Sequence, residues 1–154
     1  MKSDQNQEKT VERETITFVM LKPDAIERAL VGEIIKRLER KGLKLLRAEL
    51  RNVSVELAAR HYAHLLDKPF YGEIEAFITR GPALATVWQG RDAINVVRRL
   101  VGATDSARAE PGTIRGDYGI LYTENLVHAS DSPEAAKREI ANFFPNDPEL
   151  EALV

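Results

Sequence analysis

Cysteine is absent from the 154 residues. That excludes disulfides, thiol nucleophiles and cysteine-ligated zinc. Long apolar runs are missing too, and none approaches the ~20 residues that a bilayer-spanning helix needs. Neither sign of charge dominates: 22 Lys and Arg face 24 Asp and Glu, a formal net charge of −2. The surface as a whole is therefore no polyanion binder, and any phosphate site must be a local basic cluster. The glycine motifs that cradle phosphates are lacking as well. The chain holds no GxxxxGK[ST], no GxGxxG and none of the protein-kinase signature set. If this chain binds phosphates, side chains must do it.

What is present suits a globular domain with a real core: 44 % hydrophobic and 30 % charged residues. Residues 1–14 are polar, carry no apolar signal core, and are expected to form a flexible tail ahead of one domain over 15–154. The expected compartment is the cytoplasm. Ile16 to Leu21 form an apolar, β-rich run, read as the first strand and a central one. Pro23 ends it, and Asp24 is a candidate cap for the segment after it. Residues 30–40 place Val31, Ile34, Ile35 and Leu38 on one helical face, and Gly42 is the expected stop.

Residues 43–53 alternate as a half-buried strand, and Ser54 is a candidate N-cap for a helix over 55–66. A helix over 70–80 comes next, closed by Gly81-Pro82. Residues 83–88 predict a third strand, 93–101 a helix and 117–122 a fourth strand. The stretch between, 102–115, is long for a connection and suits a functional or interface loop. The last helix is expected over 132–144, with Ser132 as N-cap, Pro133 in the first turn and Glu134 at the positive helix end. The remaining tail is short and acidic. This order suggests an α+β sandwich, with helices on a mainly antiparallel four-stranded sheet.

His128 lies between a short apolar run and the start of that last helix. It is read as sitting on a rigid turn beside a helix N-terminus, where anionic chemistry is favoured, and as a nucleophile that carries a phosphoryl group. The plain alternative is a satisfied loop or core histidine. Glu139, on the final helix, could approach one ring nitrogen, fix the tautomer and free the other. Lys22, Arg98, Arg99 and Arg115 are candidate phosphate cations, since arginine forks match phosphate oxygens and lysine supplies a point charge. Each alone reads as a solvated surface charge. His61 and His64 could share a metal at their helical spacing, but nothing completes a ligand set, and both read as helix-surface histidines. Tyr62 and Phe70 read most simply as core aromatics.

Taken together these pieces resemble the nucleoside diphosphate kinase family. The match runs in order from Thr-Phe-Val-Met-Leu-Lys-Pro-Asp-Ala at 17–25 through His61-Tyr62 and Lys68-Pro69-Phe70. It continues to Pro-Gly-Thr-Ile-Arg-Gly-Asp at 111–117 and Asn-Leu-Val-His-Ala-Ser-Asp-Ser at 125–132. The resemblance implies a ferredoxin-like βαββαβ core and transfer of a terminal phosphoryl group between nucleoside tri- and diphosphates. It implies His128 as nucleophile, and Lys22, Arg98, Thr104 and Arg115 as phosphate contacts. Lys22 and Asn125 look like the ribose contacts and Phe70 the stacking face for the base. Tyr62, Ser130 and Glu139 resemble the shell that orients His128. Mg²⁺ is expected to arrive with the nucleotide phosphates, near Asp131 through water.

The resemblance also implies a homo-oligomer, with a hexamer favoured over a tetramer or dimer. Ala129 stands where many members have glycine, and Tyr122 lies near the expected second face of the base. No membrane and no nucleic acid is expected as partner. Two other classes compete with this reading. A non-catalytic nucleotide-binding module would have lost one of the residues quoted above, and a nucleic-acid binder would carry an aromatic-rich strand motif that is missing.

Overall fold

The computed structural model describes residues 13–154. The expected tail therefore lies outside the described residues over 1–12, and Glu14 already pairs with Arg91 in the sheet. The strands are β1 (Glu14–Leu21), β2 (Lys44–Asn52), β3 (Pro82–Arg91) and β4 (Val127–Ala129). They form one antiparallel sheet in the order β2-β3-β1-β4. The helices are α1 (Pro23–Glu27), α2 (Val31–Arg40), α3 (Val55–His61), α4 (Tyr71–Thr79), α5 (Ala93–Val101), α6 (Ile114–Tyr118), α7 (Pro133–Phe143) and α8 (Pro148–Glu151). This is the expected ferredoxin-like α+β arrangement with added helices.

Alternation along β1 builds two cores at once. Ile16, Phe18 and Met20 face one side with Leu57, Ile78, Ile140 and Phe143. Val19 and Leu21 face the other with Ile34, Leu38, Trp88 and Val97. Each large side chain removed from water here contributes about 1.5–3 kcal/mol. Strand β1 is central, as its apolar, β-rich run predicts, and everything from Ile16 to Leu21, Thr17 included, is buried.

Local chemistry explains the helix starts. The Ser54 hydroxyl accepts from Leu57 N at 3.0 Å, and the Ser132 hydroxyl accepts from Ala135 N at 3.0 Å. Pro133 occupies the first turn of α7. Ser132→Ala should cost about 1 kcal/mol of stability, read as a lowered denaturant midpoint. Gly42, at φ +97°, supplies the left-handed turn that closes α2.

Several expectations change. The fourth strand is not 117–122. Residues 114–118 wind into α6 because the Thr113 hydroxyl caps Gly116 N at 3.0 Å, while Asp117 takes Gly112 N at 2.8 Å and pairs with Arg37 at 2.7 Å. The true β4 is three residues long and carries His128. Asp24 does not cap α1; its Oδ2 accepts from Leu126 N at 3.0 Å, across the chain. The helix expected over 55–66 stops at His61, and a 3-10 turn, Ala63–Leu65, comes after it. Phe70 is not a core residue but is 47 % exposed, whereas Tyr62 is half-buried against the second core. The acidic tail is itself ordered: Asp147 caps α8 and Leu150 is buried.

Candidate active site

His128 does not sit on a turn. It occupies the middle of β4, opposite Met20 of β1. Residues directly opposite across a strand pair share a face, so the imidazole projects toward α3 and α7. Its ring lies 6.1 Å from Phe18 and 4.5 Å from His61, centroid to centroid. The side chain keeps 25 % of its surface exposed, so the ring is seated but reachable.

Helix α7 brings Glu139 beneath that ring. The His128 Nε2 lies 2.5 Å from Glu139 Oε2. A carboxylate can only accept, so Nε2 carries the proton and Nδ1 keeps its lone pair. The Ser130 hydroxyl donates to Glu139 Oε1 at 2.7 Å and accepts from Phe18 N at 3.3 Å. The carboxylate is thus fixed by a second bond, inside a setting where only 4 % of its side chain is exposed.

The approach to β4 is held by an unusual turn. Leu126 has φ +72° and is fully buried, and Val127 N donates to Asn125 O at 2.8 Å across it. This is the positive-φ γ-turn, which is rare and strained. Three bonds hold it: the closing bond, Asp24 to Leu126 N, and Lys22 N to Leu126 O at 2.8 Å. Strain of this sort costs about 1–3 kcal/mol and persists only where neighbours over-determine it. The turn sets Asn125 and His128 at fixed positions on the same short segment.

Cations gather around that segment. Lys22 Nζ donates to Asn125 Oδ1 at 2.8 Å, and Asn125 Nδ2 donates to Thr104 O at 2.8 Å. Buried Arg115 donates to the carbonyls of Asn125 (3.2 Å), Gly102 (3.1 Å) and Val127 (2.5 Å). Gly102 makes this possible: its φ is +90°, and a Cβ there would meet Thr113 Oγ1 at 2.5 Å. Arg98 donates to Ala129 O at 3.3 Å. Burial, reinforced by Arg115, pulls the Lys22 pKa down to about 8. Burial and then Arg98 pull Arg115 down to about 10. Like charges held this close destabilise the empty protein and favour an anion among them.

The description "Nucleoside diphosphate kinase" belongs to the family model that matches residues 15–148. A nucleoside diphosphate kinase of Bacillus licheniformis is 55 % identical over 131 residues, 85 % of this chain and 88 % of the relative. The chain belongs to the nucleoside diphosphate kinase family. That of Archaeoglobus fulgidus is 54 % identical over 131 residues, 85 % of this chain and 87 % of its own. Among solved structures, the Halobacterium salinarum nucleoside diphosphate kinase in complex with CDP has a TM-score of 0.85 and 50 % identity, covering 89 % of this chain and 91 % of that one. The Encephalitozoon cuniculi nucleoside diphosphate kinase has a TM-score of 0.85 and 42 % identity, covering 86 % and 90 %. The chain is thus an enzyme, a phosphotransferase of nucleotide metabolism.

Of the residues expected at a nucleoside diphosphate kinase site, Lys22, Arg115, Asn125 and the Thr104 backbone form one bonded network. His128, Ser130 and Glu139 form another, and the two meet at β4, where Arg115 holds the Val127 carbonyl and the next residue is His128. Arg98 reaches β4 from α5. Tyr62 stands 4.6 Å from His61, ring to ring, and burial, then the Glu139 carboxylate, push its phenol above the ordinary range. Phe70 and Asp131 are exposed, and among the described residues no hydrogen bond, ion pair or ring contact joins either to His128. Ala129 has no positive φ and pairs with Val19, so its methyl introduces no backbone strain.

Three features escape a reading of the sequence. The Leu126 turn has no local signature, and the role of Asp24 depends on a contact 102 positions away. His61 does leave a signal. It follows Leu57 and Ala58 at helical spacing, so α3 turns all three inward, and His61 is 3 % exposed rather than on the surface. His64, past the helix end, is exposed. Burial, with His128 the next cause, holds His61 neutral down to about pH 2.

That shift has a sign. An unfolded His61 takes a proton near pH 6.5, while the folded one does not. Stability is therefore lost as pH falls from about 6.5 toward 2, by up to about 1.4 kcal/mol per pH unit from this group. Denaturant midpoints at pH 6.5 and 5 should differ less in His61→Phe than in the wild type.

Proposed function

We propose that His128 Nδ1 attacks the terminal phosphorus of a nucleoside triphosphate, typically ATP. A nitrogen–phosphorus bond forms, the bridging phosphorus–oxygen bond breaks, and the nucleoside diphosphate leaves with that electron pair. Positive charge developing on the ring is met by Glu139 at Nε2. A second nucleoside diphosphate then attacks with a terminal phosphate oxygen, the nitrogen–phosphorus bond breaks, and the imidazole is restored. The observation that carries this reading is the 2.5 Å contact of Glu139 with Nε2, which leaves Nδ1 unprotonated on a reachable ring.

The surrounding donors suit the charge that spreads over the phosphoryl oxygens. Arg115 uses three of its five N–H groups on carbonyls, leaving two for a phosphate. Lys22 uses one of three on Asn125. Arg98 and the Thr104 hydroxyl complete the phosphate set, and Lys22 with Asn125 hold the ribose. Phe70 stacks on the base; its exposure supports that role and implies little base discrimination. Ser130 and Tyr62 keep Glu139 and His128 in place.

Mg²⁺ belongs to the same reading. Asp131 is an exposed hard-oxygen ligand on the turn after β4, and one carboxylate suits an ion that rides mainly on substrate phosphates. Bound there, Mg²⁺ would neutralise phosphate charge. Residues 15–154 act as one domain in a cytoplasmic hexamer built as a trimer of dimers. Two faces suit such an assembly: the edge strand β2, with Leu50 61 % exposed, and the run Ile120 (69 %), Leu121 (50 %), Tyr122 (63 %). Light scattering should give six chains per particle.

With ATP and Mg²⁺ but no acceptor, the protein should release one ADP per chain and stop. Adding GDP should then discharge the phosphoryl group as GTP. Release of free phosphate, or GTP formation only when both nucleotides are bound together, would refute the two-step scheme.

A further inference from the structure

His61 is a buried imidazole that phosphoryl transfer does not use. Both of its ring nitrogens are buried without a hydrogen-bond partner, although the ring abuts His128. Its Nδ1 lies 3.9 Å from Glu139 Oε2. One ligand atom each from His61, His128 and Glu139 lies within 4.8 Å of the others. Two imidazoles and a carboxylate are the donor set of open zinc sites, and tetrahedral zinc places its ligand atoms about 3.4 Å apart. The pair at 2.5 Å must open by about 0.9 Å, and the edges at 3.9 Å and up to 4.8 Å must close by about 0.5 and up to about 1.4 Å, a side-chain adjustment. Glu139 is already oriented from behind by Ser130, the outer support that metal-binding carboxylates have.

We propose that His61, His128 and Glu139 form a site for a borderline-soft divalent cation such as Zn²⁺, whose occupation switches the enzyme off. Coordination at His128 Nε2 moves the ring proton from Nε2 to Nδ1. The ring stays neutral overall, but Nδ1 loses the lone pair that forms the bond to phosphorus. Mg²⁺ does not compete, because it prefers oxygen ligands and keeps its water. Metal binding at these three residues stands apart from the phosphoryl-carrier reading; only the inhibition depends on it.

Equilibrium dialysis against micromolar Zn²⁺, without nucleotide, is the test. Wild type and His64→Ala should each retain one Zn²⁺ per chain, and His61→Phe at least tenfold less. Retention by His61→Phe, or loss in His64→Ala, would overturn the site. A second measurement needs only wild type. Zn²⁺ should inhibit nucleotide exchange at saturating Mg²⁺, and raising Mg²⁺ tenfold should not relieve it. Relief by Mg²⁺ would place the zinc on the nucleotide and overturn the switch. Zinc binding without inhibition would keep the site and overturn the switch, while a failure of the carrier reading would show separately as absence of phosphate on His128.

Discussion

Replacing His128 by alanine should lower turnover by about 10⁴-fold or more while leaving the fold intact. A covalent route that splits one transfer into two steps has no partial substitute once its nucleophile is gone, and knock-outs of such residues cost that much or more. The side chain is a quarter exposed and β4 is held by backbone bonds to β1, so stability should change little. Glu139 would lose one of its two charge-assisted partners but keep Ser130. Steady-state exchange from ATP to GDP measures the first effect, and thermal melting the second. Turnover within tenfold of wild type would remove His128 from the reaction.

Arg115→Met should damage both stability and activity. The guanidinium joins α6, the end of α5 and both sides of the Leu126 turn through the carbonyls of Gly102, Asn125 and Val127. Methionine fills some of the volume but leaves those acceptors without a donor in a buried setting. A loss of about 3 kcal/mol is expected, within the range for breaking a buried charge-assisted network. Loss of a phosphate donor should add a fall of about 10²–10³ in kcat/KM, on the scale of removing one preorganised donor. Arg115→Lys should recover part of the activity through its charge and less of the stability, since a point charge cannot span three carbonyls. Denaturant midpoints and kinetics at fixed Mg²⁺ separate the two effects.

Much of this architecture is legible in the chain because local chemistry and tertiary packing agree. The run from Ile16 to Leu21 is apolar but for Thr17 and is buried on both faces. Ser54 and Ser132 cap the helices they precede. The failures have physical causes. Residues 117–122 carry the apolar and aromatic side chains of a strand, but Thr113, Arg37 and Asp117 wind the first part into α6, and Ile120 to Tyr122 are left exposed. The real fourth strand is only three residues long, too short for a periodic signal, so His128 reads as a turn residue. His61 looks like a surface histidine because polar residues flank it, although helical spacing turns it inward. The cations are unremarkable one by one, and only the fold brings Lys22, Arg98 and Arg115 to one short segment.

The central claim is that one atom, His128 Nδ1, becomes bonded to phosphorus. Protein charged with ATP and Mg²⁺, kept alkaline throughout and fragmented by tandem mass spectrometry, should carry a single phosphoryl group on the peptide containing His128. The ³¹P resonance should mark it as the Nδ1 isomer. Phosphate found instead on His61, on Ser130 or on Nε2 of His128 would contradict the account.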